Sequence, residues 1–148
     1  MDFLDIKNLY EELKQIVEKE TTKDESIVPI ENCMISEALR NQVALQIKWE
    51  RIYSKINWIN KEAELQYETY FSESYYNVMT NSDRKWSTTD AKLVASRDES
   101  YIRAKRLYNE IESLKREVSG ILNVLESRKY ILKDYSNQII NGSDRYIL

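Results

Sequence analysis

Apolar residues in the C-terminal part of the chain recur at steps of seven: Ala104, Ile111, Val118, Leu125, Leu132 and Ile139. Leu107, Leu114 and Ile121 fill a second line of positions, which continues through Arg128 and Tyr135. A double line of this kind belongs to a long helix packed lengthwise on other helices. Ser96 and Glu99 stand at capping-box spacing, so this helix is predicted to start at Arg97. It runs to about Ile140, roughly 65 Å at about 1.5 Å per residue, and Asn141-Gly142 ends it.

A second long helix is predicted from about Cys33 to Met79. Ala38, Leu45, Trp49, Ile52, Ile56, Ile59, Ala63 and Tyr70 form its seam at helical steps. Val43, Ile47, Trp58 and Leu65 lie off that seam, either as ordinary exposed aliphatics or as the contact for a second neighbour. Before it, Asp2 to Lys19 reads as a short amphipathic helix with Ile6, Leu9, Leu13 and Ile16 on one face and Tyr10 and Val17 beside them. The polar stretch Glu20 to Asn32 contains Pro29 and reads as a linker. The chain thus divides into an arm (residues 1–20), a linker (21–32) and a body (33–148) with a break near 80–96. The arm docks on a partner or a neighbouring copy, or folds back on its own body. In the break, Thr80 to Thr89 lacks periodicity and is rich in cap and turn residues, and a short helical stretch follows over Asp90 to Ala95.

The composition narrows the class. At 148 residues the chain is one domain, or a helical hairpin that needs partners. It holds two Gly and one Pro, and neither residue type occurs between Ile30 and Ser119. Turn-rich β folds and doubly wound α/β folds need more glycine than that, so the expected class is all-α. The two long stretches match in length, and the simplest arrangement is a long antiparallel helical hairpin with coiled-coil-like packing and a short N-terminal helix. Ile121, Leu122, Val124, Leu125, Ile131 and Leu132 cover more than a two-helix seam. A surface of that kind is expected to be buried between chains, which points to a homo-oligomer.

The chain has no His, and Cys33 is its single Cys. Zinc sites, haem ligation and nucleophile–His catalysis fall away with them, and there is no glycine-rich phosphate loop. Glu62, Glu64 and Glu68 form no acid/base pair, so no enzyme, cofactor or metal is expected. No signal peptide and no apolar run of membrane-spanning length is present. The expectation is a soluble cytoplasmic protein without membrane contact. The net charge of −3 is uneven: residues 1–31 hold 4 basic and 9 acidic side chains, a net of −5, and the remainder nets +2. The body is therefore near neutral and has room for a basic surface.

One such surface is the break with the first turns of the last helix, where Arg84, Lys85, Trp86, Lys92, Arg97, Arg103, Lys105 and Arg106 crowd into 23 residues. Cations that follow phosphates beside a ring that stacks on bases suit single-stranded nucleic acid. The competing reading is a solvated basic face offset by Asp83, Asp90, Asp98 and Glu99, with Trp86 plugging the hairpin end. Tyr67, Tyr70, Tyr75 and Tyr76 cluster near one helix end and suit packing there or at an interface, with stacking on bases as the other reading. Arg128 stands where the seam wants an apolar residue. It either pairs with an acid and fixes register or points into an oligomer lumen and meets phosphate.

The order of segments resembles the recombination mediator proteins of tailed myoviruses, the UvsY family. Ile6–Ile16 (IKNLYEELKQI) is similar to its short N-terminal helix, and Ile47–Glu62 (IKWERIYSKINWINKE) to its long first helix, with a Lys-Trp pair at Lys48 and Trp49. Tyr75-Tyr76 matches a Tyr-Tyr pair before the loop. Leu93–Lys105 resembles the segment before the last helix, and Val124–Asp144 the C-terminal stretch, through Ser127, Arg128, Tyr130, Ile131 and Lys133. The resemblance implies a nearly all-α protein that assembles into a ring, binds single-stranded DNA, and helps load a phage recombinase where single-strand-binding protein sits, in the host cytoplasm. The family carries basic residues implicated in DNA binding just before its Tyr-Tyr pair. Thr69 to Ser74 contains no Lys or Arg, so that role would pass to Arg84–Arg106. The alternative is a structural or adaptor coiled coil, such as a virion or scaffold component, with no nucleic-acid role.

Overall fold

The computed structural model describes residues 1–25, 35–81 and 83–140, and among these the regular structure is all α-helical. Four helices follow one another: α1 (Phe3–Glu25), α2 (Ile35–Thr80), α3 (Thr88–Ala95) and α4 (Glu99–Ile140).

Local chemistry sets their ends. Asp2 and Asp5 cap α1 reciprocally: the Asp5 N–H donates to Asp2 Oδ1 at 2.8 Å and the Asp2 N–H to Asp5 Oδ2 at 3.1 Å. Helix α1 runs past the expected end at Lys19 and takes in Glu20 to Glu25. The Glu20 carboxylate meets Lys48 Nζ at 2.9 Å, and Thr22 Oγ1 donates to the Glu18 carbonyl at 3.0 Å. Tertiary contact thereby overrides the weak helix propensity of the two threonines. The rest of the expected linker, with Pro29 and Cys33, lies outside the described residues, as does the Asn141-Gly142 stop.

Helix α4 starts at Glu99 rather than Arg97 because Asp98, not Ser96, caps it. Asp98 Oδ2 accepts the Tyr101 N–H at 2.9 Å. A carboxylate at a helix N-terminus also gains from the helix dipole, which a serine hydroxyl does not. Ser96 instead closes α3: its N–H donates to the Lys92 carbonyl at 2.9 Å and its Oγ to that of Leu93 at 2.7 Å.

The described residues form two compact units. The first joins Met1–Glu12 to Ile56–Lys115. Its core is made by Ile6 and Tyr10 of α1, Ile56, Ile59 and Ala63 of α2, Ala91 and Ala95 of α3, and Ala104, Leu107, Ile111 and Leu114 of α4. The second joins the described parts of Leu13–Lys55 and Arg116–Leu148. Leu13, Val17, Ala38, Leu45, Trp49, Ile52, Val118, Leu125 and Leu132 are buried there, and with them the polar Gln42 and Arg128.

The heptad lines of α4 are therefore its buried face wherever the side chains are described, except that Ile121 and Tyr135 are half-buried. The seam of α2 is buried from Ala38 to Ala63, with Tyr70 half-buried. The face of α1 is not the expected one. Ile6, Tyr10, Leu13 and Val17 are buried, whereas Leu9 is half-buried and Ile16 is 40% exposed. Both stripes have helical period, and they differ by a small rotation that periodicity alone does not resolve. Residues Val43, Ile47, Trp58 and Leu65 of α2 are all exposed, between 45% and 61%. At roughly 100° per residue they fall within about 60° of arc on the side of α2 opposite its seam. No helix among the described residues is long and apolar enough to cross a membrane.

Candidate nucleic-acid interface

The basic segment lies wholly in the first unit. Its scaffold is the short helix α3. The Ser87 hydroxyl caps it by accepting the Asp90 N–H at 3.1 Å, and Ala91 and Ala95 seat it in the core. Two of the nearby acids have helix-terminal positions: Asp90 lies in the first turn of α3 and Asp98 caps α4. These positions complement the helix dipoles.

Of the eight residues expected to contact DNA, six are exposed cations: Arg84 and Lys85 before α3, Lys92 on α3, Arg97 between α3 and α4, and Arg103 and Arg106 one turn apart on α4. Arg84 lies over the Trp86 ring, its guanidinium 4.6 Å from the centroid. Trp86 is half-buried, so it is neither an open stacking platform nor a core plug.

Lys105 is half-buried and turned onto aromatic rings. Its Nζ stands 3.9 Å from the Tyr67 centroid and 4.9 Å from that of Tyr108. The rings form a cluster between α2 and α4: Tyr67 meets Tyr101 edge-on at 6.2 Å, and Phe71 meets Tyr101 at 5.4 Å. Burial first, then the charges of Glu112 and Glu64, push the Tyr108 hydroxyl pKa up, so it stays neutral beside the lysine. Sequence reasoning assigned Lys105 to DNA and missed Tyr67, Phe71, Tyr101 and Tyr108 as its partners.

An open groove of about 490 Å³ adjoins this segment, lined by Ser74, Asn77 and Val78 of α2, Asn81 just after it, Trp86, Val94 of α3 and Asp98. The indole Nε1 of Trp86 is buried and has no hydrogen-bond acceptor among the described residues. The asparagines and serine of the groove carry no sequence signal as a set, because the α2–α3 connection is what brings Trp86 against them.

No protein-family model, curated protein or solved structure matches the chain.

The residues expected at an interface between chains separate into two groups. Leu125, Leu132 and Arg128 are buried within the second unit, and Ile121 and Leu122 are half-buried. The large side chains with apolar surface that α4 leaves exposed nearby are Val124, Tyr130 and Ile131, at 65%, 60% and 48% exposure. Among the described residues no group of His, Cys, Asp and Glu side chains is arranged to hold a metal ion.

Proposed function

We propose that this protein is a non-enzymatic single-stranded DNA-binding recombination mediator that acts as a homo-oligomer in the host cytoplasm. The observation that carries the reading is the set of six exposed cations within Arg84–Arg106, with the acid Asp98 engaged as a helix cap beside them. Cations of this kind neutralise phosphates and release counterions. The resemblance to the myovirus mediators adds the biological setting: a phage recombinase and single-strand-binding protein as partners.

In this reading the two long helices form an antiparallel hairpin, which agrees with the direction of contacts inside the first unit. Asn60 meets Lys115, Tyr67 meets Tyr108 and Phe71 meets Tyr101. The exposed apolar residues of the second unit, Val43, Ile47, Val124 and Ile131, offer surface to neighbouring copies, as Trp58 and Leu65 do in the first. Each subunit then presents a modest basic patch, and a ring multiplies weak contacts into useful avidity.

Fluorescence anisotropy with a labelled single strand, at low and moderate salt and with duplex as control, tests the proposal. Affinity falls steeply with salt, and replacing Arg84, Lys85, Arg103 and Arg106 by Gln weakens it by at least tenfold at roughly one kcal/mol or less per charge. Unchanged affinity in that variant sinks the site assignment. The exposed α2 stripe also favours a second reading, an adaptor coiled coil without nucleic acid. A chain that is oligomeric by light scattering yet ignores DNA at low salt supports that reading instead.

A further inference from the structure

The groove beside Trp86 differs in chemistry from the cationic surface around it. Its lining is an indole, two primary amides, the Ser74 hydroxyl, two valines and the Asp98 carboxylate. A phosphate is repelled by that carboxylate and has no cation in the lining to meet. A neutral planar heterocycle with hydrogen-bonding edges fits each of these groups. The amides of Asn77 near the end of α2 and of Asn81 just beyond it each offer a donor and an acceptor. The Trp86 ring forms part of the wall, with its Nε1–H withdrawn from the surface. Asp98 gives Oδ2 to the Tyr101 amide and has Oδ1 to offer an exocyclic amine, the pairing by which acidic side chains read cytosine.

Outside the groove, Arg84 is held against the Trp86 ring at 4.6 Å, and Lys85 and Arg97 are exposed next in sequence to Trp86 and Asp98. Cations outside and amide, indole and carboxylate inside match one unit of a polynucleotide, with its phosphates on the rim and its base in the groove. We propose that the groove is a nucleobase subsite that takes one unstacked, amine-bearing base of a single strand, cytosine in preference to thymine. The proposal rests on the single-stranded DNA reading and adds base recognition to it.

Anisotropy titrations with oligo-dC, oligo-dT and an abasic oligomer of equal length test it on the full chain. Wild type binds oligo-dC several-fold more tightly than oligo-dT. Asn77 and Asn81 are exposed, so the double variant Asn77→Ala/Asn81→Ala keeps its fold, checked by circular dichroism. It loses about tenfold on oligo-dC and nothing on the abasic strand. Asp98→Asn retains a good helix cap and abolishes the dC-over-dT preference. Equal losses on abasic and dC strands, or none on dC, overturn the subsite while leaving DNA binding in place. Failure of the wild type to bind any strand at low salt overturns the DNA reading, and the subsite with it.

Discussion

Lys105 Nζ lies 3.9 Å from the centre of the Tyr67 ring, so a lysine of α4 is held by a tyrosine of α2. A cation over an aromatic face is worth about 0.5–2 kcal/mol depending on its desolvation. Lys105→Met keeps the aliphatic stem and removes the charge. The expected result is a loss of about 0.5–1 kcal/mol in denaturant unfolding, with single-strand affinity within a factor of two. A DNA-binding defect equal to that of Arg103→Gln or Arg106→Gln would return Lys105 to the interface.

Lys48 and Glu20 form the ion pair that accompanies the extra turns of α1, at 2.9 Å. The hydrogen bond from Lys48 is the main influence that lowers the Glu20 pKa, against a smaller opposing effect of burial. A carboxylate depressed in the folded state stabilises the fold above its unfolded pKa, and loses that contribution as pH falls through the folded value. Glu20→Gln is therefore expected to be less stable than wild type near neutrality and indistinguishable from it in strong acid. Chemical melts at the two pH extremes check this, and a gap that widens in acid contradicts it.

Gln42 is buried, and its Nε2 donates to the Leu125 carbonyl at 2.7 Å, while its Oε1 is buried without a partner among the described residues. Gln42→Leu removes the bond and the orphaned oxygen together, so the two effects offset and stability stays within about 1 kcal/mol of wild type. Gln42→Ala leaves a cavity and is expected to cost about 1–3 kcal/mol. Equilibrium unfolding of the pair distinguishes a bond that stabilises from one that specifies alignment.

Gly120 lies within helix α4, and a Cβ added there meets no atom within 4 Å. Gly120→Ala should raise stability by about 0.5–1 kcal/mol through reduced backbone entropy of the unfolded chain. A thermal melt reads this directly. Destabilisation accompanied by a smaller assembly in light scattering would mean that a neighbouring copy packs its backbone against Gly120.

The helical class, the break after Met79 and the buried lines of α2 and α4 were legible in the residues themselves. Each depends on periodicity, glycine scarcity or local capping, which are properties of a short stretch of chain. The α1 face, the cap of α4, the capture of Lys105 and the Trp86 groove were not legible. Ile16 and Val17 compete for one stripe, Ser96 and Asp98 for one cap, and nothing local to Lys105 separates a lysine that meets phosphate or solvent from one that turns onto rings of α2. Such choices depend on register between segments distant in sequence: Tyr67 must come opposite Tyr108, and Trp86 must fold against Asn77. A helical repeat states that a face is covered, and only packing decides which rotation of that face, and which neighbour, releases the most apolar surface from water while leaving the fewest polar groups unpaired.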